Sequence, residues 1–245
     1  MTTPRTTPDR SADALPTSWQ RLLALSGIVF AVLFVVGFLI SGGDTPDSTA
    51  ADQQWTTWAE GNELKGRIGA FLTLIAGVVF LHFGGMIRSV LGSTEATVRG
   101  SVQLARVAFA GALTGITMAV IMIAGASAEG ADANPVVIRA VASATVGPFL
   151  VGAMGFAASL AAAGQLILRS GVFARWIAIV ALLGAFAFFI TFFTLIAGPS
   201  EDSIFGYGFF VGFLALAIWS IATSIARYRA VATTARQSPA TEADS

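Results

Sequence analysis

Six uninterrupted apolar stretches, at 22–40, 68–87, 107–125, 144–168, 176–197 and 204–226, occupy most of this 245-residue chain. A helix needs about 20 apolar residues, at 1.5 Å rise, to cross roughly 30 Å of hydrocarbon. Each stretch meets or nearly meets that length. The fold class is therefore all-α: a polytopic membrane bundle of six transmembrane helices, over about 20–41, 66–90, 101–126, 136–169, 173–198 and 203–228. The connections are short, so one bundle spanning 19–230 is the simplest architecture. Residues 1–18, rich in Thr, Pro and Ser, and the polar stretch 231–245 read as disordered cytoplasmic tails. The first stretch reads as an uncleaved anchor. Its 19 apolar residues exceed a signal-peptide core, and Ser41-Gly42-Gly43 makes a poor cleavage site.

Charge gives the orientation. With the N-terminus inside, the inner segments hold eleven cations: Arg5, Arg10, Arg21, Arg88, Arg99, Arg106, Arg169, Arg175, Arg227, Arg229 and Arg236. The outer ones hold three, Lys65, Arg67 and Arg139. This is a strong positive-inside bias, and it puts both termini in the cytoplasm. Charged residues make up only 11% of the chain, against about 25% in a soluble domain. The chain has no cysteine, which excludes disulfides, thiol catalysis and Cys-ligated metals. Thirteen arginines to one lysine fits a GC-rich bacterial coding sequence, and hence a bacterial plasma membrane.

The longest outer segment, 41–65, carries the most local signal. Thr49-Ala50-Ala51-Asp52 fits a capping box, Trp55 and Trp58 follow at helical spacing, and Gly61 can end a helix. This predicts a short helix over 50–60 lying on the outer membrane surface, with Trp55 and Trp58 as interface anchors. An aromatic lid over a ligand site is the alternative. Asp44-Thr45-Pro46-Asp47 superficially resembles a divalent-metal pair, but it has no second pair to complete a site and reads as a solvated turn. Asn134-Pro135 is a helix start, because Asn caps and Pro sits where its missing N–H costs nothing. A helix from there to Arg169 would be about 52 Å long, so its outer end must project, tilt or kink. Pro148 supplies a kink, because it cannot donate to the Ala144 carbonyl.

His82 is the only histidine, and the only titratable side chain inside the apolar core of any stretch. Ionisable groups in a membrane are functional candidates by default. Arg106, at the inner edge of the third span, lies at similar depth. If the second and third spans form an antiparallel hairpin, His82 and Arg106 make a polar pair in a pocket open to the cytoplasm. The bland reading has each reach the interface independently, or His82 bond a backbone carbonyl. No span contains Asp or Glu, which argues against an ion-coupled pump and leaves His82 without metal-site partners. The intramembrane Ser and Thr residues are scattered and none has a base beside it, so no catalytic residue is assigned. No metal or cofactor is implied, and no nucleic-acid partner.

Small residues recur at four-residue spacing in Gly111-x-x-x-Gly115, Ala153-x-x-x-Ala157-x-x-x-Ala161 and Gly208-x-x-x-Gly212. They allow close helix approach, either inside the bundle or on a homo-oligomer face. The fifth span is bulky around its circumference and should face lipid on one side. Ile68-Gly69-Ala70-Phe71-Leu72 resembles Val146-Gly147-Pro148-Phe149-Leu150, and spans two and four both close on Arg-Ser. The pattern suggests three parallel hairpins, 1–2, 3–4 and 5–6.

Asn62, Arg67-Ile68-Gly69 and a span closing through Arg88, Leu91 and Glu95 resemble a group of uncharacterised actinobacterial six-helix integral membrane proteins of the DUF4386 type. The resemblance covers about residues 20–200. It implies a six-helix fold, and it carries over neither an activity nor a functional residue. Taken together, the sequence points to a non-enzymatic structural or regulatory membrane component acting through lipid or an unidentified protein partner. The alternatives are a facilitator for a small, weakly polar solute and an enzyme modifying lipids near the Trp55–Trp58 segment.

The absence of native cysteine makes the orientation directly testable. Ser48→Cys, Ser127→Cys and Ser200→Cys should react with an impermeant thiol reagent in intact cells. Ser93→Cys and Ser238→Cys should react only after lysis. Labelling of Ser93→Cys from outside would reverse the charge-based orientation.

Overall fold

A computed structural model describes residues 17–41, 46, 50–91, 117, 134–193 and 204–237. Among them all regular structure is helical: α1 (Thr17–Ser41), α2 (Asp52–Leu91), α3 (Pro135–Ala144), α4 (Val146–Ser170), α5 (Arg175–Thr191) and α6 (Ile204–Gln237). Four described stretches are long and apolar enough to cross a membrane: Ser18–Ser41, Asp52–Ile87, Pro135–Ser170 and Tyr207–Thr233. The helix Arg175–Thr191 is apolar but shorter. At most 44% of any span's most apolar window is buried in the protein, so most of its apolar surface faces outward. Leu22, Leu39, Phe71, Leu183, Phe186 and Phe210 are all at least 60% exposed. Exposed apolar side chains of this size along four long helices fit a membrane location. The third span, including Arg106, lies outside the described residues, as do the Asp44–Asp47 pair and Gly111-x-x-x-Gly115.

The helices pack in the order α2–α1–α6–α5–α4, each against its neighbours in that series. Spans 1–2 and 5–6 are thus adjacent, and α4 packs on α5 as extensively as α5 on α6. Glycine sets these approaches. At the α1–α2 crossing Gly37 faces Gly69, and a Cβ on Gly69 would lie 2.7 Å from the Gly37 carbonyl and still closer to Ser41. Ser41 and Thr73, one turn further along their helices, return their hydroxyls to the carbonyls of Gly37 and Gly69, both at 2.8 Å. The crossing is a small-x-x-x-small pair on both helices. At the α1–α6 contact a Cβ on Gly27 would meet the Ser220 carbonyl at 2.7 Å. Between α5 and α6, Gly208 and Gly212 lie against Ala187 and Phe188. Ala153 and Ala157 of α4 are buried in the core. The described small-residue stripes therefore serve packing within the chain.

Aromatic rings fill the centre. Phe30 stacks on Phe80 with centroids 4.1 Å apart, and Phe34 on Phe213 at 4.9 Å. Phe156 reaches Phe80, Phe188 and Phe213, and Phe83 meets the edge of Trp219. Phe188 is fully buried, while Phe186 and Phe189 on the same helix are 62% and 50% exposed. The fifth span therefore turns one face inward and the other out.

Three elements differ from the sequence reading. Residues 52–91 form one 40-residue helix rather than a surface helix ended at Gly61. A single helical glycine costs only about 1 kcal/mol, too little to stop a long helix that is anchored at both ends. Helix α2 is therefore about 60 Å long, twice the hydrocarbon thickness, and projects beyond it. Helix α6 continues to Gln237, into the stretch 231–245 expected to be disordered, because nothing between Arg229 and Gln237 breaks a helix. Helix α5 ends at Thr191, before the expected 198.

At the long fourth span Asn134 caps α3, accepting the Val136 N–H at 2.9 Å, with Pro135 in the first position. The run is interrupted at Thr145, whose hydroxyl donates to the Ala142 carbonyl at 2.6 Å. The carbonyl before the break, that of Ala144, is the one Pro148 cannot serve. Helix α4 then closes on Gly171, which adopts φ +64° and donates to the Ile167 carbonyl.

Gly69 and Gly61 lie on one helix in opposite situations, since nothing lies within 4 Å of a Cβ on Gly61. Gly69→Ala is expected to destabilise the protein by about 1–3 kcal/mol through overpacking. Gly61→Ala should stabilise it by about 0.5–1 kcal/mol through helix propensity. Thermal unfolding in detergent reads both. Equal effects would mean that α1 and α2 are not held at the crossing.

Candidate functional site

Chemistry-bearing side chains are sparse and fall at the two ends of the bundle. In between, the buried hydroxyls mostly bond the carbonyl one turn back on their own helix. Thr73 donates to Gly69, Ser159 to Gly155, Thr191 to Ala187 and Thr223 to Trp219. Such bonds use the hydroxyl's one proton within its own helix. Ser220 and Ser224, both fully buried on α6, and the Trp219 indole N–H have no hydrogen-bond partner among the described residues.

His82 does not face the aromatic core. It is exposed on α2, and its Nδ1 lies 3.0 Å from the Val78 carbonyl of the same helix. A carbonyl only accepts, so Nδ1 is the donor in this contact. The pair with Arg106 involves a residue outside the described part of the chain. Among the described residues no three His, Cys, Asp or Glu side chains converge as a metal site would require.

At one end, the first part of α2 and helix α3 form a stalk. Trp55 and Trp58, 2% and 7% exposed, pack with Ala59 against Ile138 and Ala142. Their rings meet edge to face at 6.0 Å. The indoles are thus covered by the protein itself, where the interface-anchor reading had them covered by lipid. Asp52 is also used differently from the capping box. It is the first residue of α2, and its carboxylate accepts from Arg139 on α3, which donates also to the Ala50 carbonyl at 3.0 Å. Arg67 pairs with Glu63 one turn away, at 2.7 Å.

The other end is basic. All three carboxylates whose side chains are described, Asp52, Glu60 and Glu63, belong to the stalk half of α2. Arg169, Arg175, Arg227 and Arg229 gather where α4 turns into α5 and where α6 leaves the bundle. Here a groove of about 510 Å³ opens between the end of α2, the α4–α5 turn and α6. Phe173 and Ile177, 7% and 2% exposed, line it together with Ile218 and Ala222 of α6. Arg227 and Arg229 line it where α6 emerges, and Trp176, 52% exposed, stands on the opposite wall. The groove runs along α6 from Arg227 to Ile218, nine residues or about 14 Å. The sequence signals behind it are an Arg-x-Arg at the end of an apolar span and an Ala-Arg-Trp at the start of another, and neither pattern alone shows a groove.

No family model matches the chain, and neither a curated protein nor a solved structure matches it.

Two forces hold the stalk, and their magnitudes separate. The Asp52–Arg139 pair is solvated, with side chains 60% and 33% exposed, so its coupling should be at most about 1 kcal/mol. Ile138 is 1% exposed beneath the two indoles, and Ile138→Ala should cost about 2–4 kcal/mol. A double-mutant cycle on Asp52→Asn and Arg139→Ala, set beside Ile138→Ala in thermal unfolding, checks the ranking. A pair coupling larger than the Ile138 loss would make the stalk electrostatic.

Proposed function

We propose that this protein is a six-span integral membrane component of a bacterial plasma membrane, with both termini cytoplasmic, and that it acts without catalysis, as a structural or regulatory element. The observation that carries this reading is the filled centre of the described helices. Where a solute path or a buried reaction site would lie, rings from α1, α2, α4, α5 and α6 are in contact with one another. Rings stacked across helices resist being parted, because protein interiors are close-packed and bistable rather than continuously deformable. The features open to partners then lie at the stalk and at the basic end. The positive-inside bias favours placing the basic end in the cytoplasm.

A facilitator for a small, weakly polar solute is the second reading. Ser220 and Ser224 favour it, since buried hydroxyls without partners are expensive unless something polar visits them.

Thiol accessibility separates the two. Ala153→Cys and Ala181→Cys place single thiols at fully buried positions of α4 and α5. In the native protein they should resist a small water-soluble methanethiosulfonate and react only after denaturation. Rapid native labelling at either position would reveal a water path through the core and favour the facilitator.

A further inference from the structure

We infer that the groove at the basic end is a binding site for an anionic phospholipid, with an acyl chain against Ile177, Ile218 and Ala222 and the phosphate at Arg227 and Arg229. Three observations lead to this occupant. First, the groove is elongated and apolar along its length but cationic where α6 emerges, the same amphipathic order as a phospholipid. Its volume of about 510 Å³ lies within the usual range of ligand sites, roughly 300–1,000 Å³. Second, among the described residues nothing neutralises the charge at that end: the ion pairs are those of Arg67 and Arg139 at the stalk, and no described carboxylate pairs with Arg227 or Arg229. A guanidinium offers paired N–H donors that match a phosphate, and basic pockets between membrane helices are suited to anionic headgroups. Third, Trp176 stands at the groove with its ring half exposed, in the position where an indole sits beside headgroups.

A soluble phosphate compound would satisfy the arginines and leave the apolar length uncovered. A neutral lipid would cover the length and leave the guanidinia unpaired. Only a ligand with both parts uses the whole groove. The inference does not depend on the core being closed, so thiol labelling of the core and lipid retention fail separately.

The experiment uses the full chain purified in a neutral detergent, with phosphatidylglycerol, phosphatidylcholine or glycerol phosphate added, read by native mass spectrometry and by Tm. Phosphatidylglycerol should be retained and raise the Tm. Phosphatidylcholine and glycerol phosphate should do neither. R227Q/R229Q should weaken phosphatidylglycerol retention on the order of tenfold or more. Ala222→Trp, which fills the groove and keeps both arginines, should abolish it. The proposal is overturned if the wild-type protein retains both phospholipids equally, a result that needs no variant. It is overturned also if glycerol phosphate alone reproduces the Tm rise, or if either variant binds phosphatidylglycerol as the wild type does.

Discussion

The approach of α1 to α2 at Gly37 and Gly69 sets the spacing on which the rest of the bundle depends. In hydrocarbon there is no hydrophobic drive to bring one apolar helix against another, so contact itself must hold them. Two facing glycines let backbones come close enough for a Gly69 Cβ to have no room. The same device recurs at Gly27 against α6 and at Gly208 and Gly212 against α5. Because the backbones are near, the rings of Phe30, Phe34 and Phe38 reach Phe80, Phe213 and Phe209 in the centre. Glycine and phenylalanine thus work as complements. One removes side-chain volume at the crossings, and the other fills the volume enclosed between them.

How much of this was legible follows from whether a feature is local. Apolar length, the Asn134-Pro135 start and the lipid face of α5 are properties of contiguous residues, and the sequence carries them. The Gly37–Gly69 crossing is half visible. Gly37-x-x-x-Ser41 and Gly69-x-x-x-Thr73 are small-x-x-x-small patterns, but Ser and Thr pass for scattered polar residues until the partner helix is known. Trp55 and Trp58 were legible as one face of a helix and illegible as to what covers it. Ile138 lies some eighty positions along the chain, and no pattern near the tryptophans points to it. The groove is harder still, because it belongs to no element. The end of α2, one turn and one stretch of α6 converge to make it.

Charge separates along the molecule as well as between loops. Acidic side chains at the stalk find arginines there, as Asp52 finds Arg139 and Glu63 finds Arg67. The arginines of the other end find no acids among the described residues. Exposed ion pairs contribute little to stability. The asymmetry therefore bears less on how the fold is held than on what each end can bind. At the stalk the charges of Asp52 and Glu63 are already engaged with arginines of the same chain. A set of unpaired guanidinia beside an apolar slot offers a complement to an anion that carries a hydrocarbon tail.

The stalk also explains why the fourth span is broken. Helix α4 packs on α5, whereas α3 packs on the projecting end of α2 and makes little contact elsewhere. The run Pro135–Ser170 thus changes partner between its two parts. The interruption at Thr145 lies there, with the Ala144 carbonyl deprived of a donor by Pro148 and the Thr145 hydroxyl drawn back to Ala142. One run thereby serves two partners, α5 within the bundle and α2 beyond it. The stalk is thereby fixed to the bundle through two helices rather than one. Trp55, Trp58 and Ala59 of one helix and Ile138 and Ala142 of the other join the two in a buried cluster.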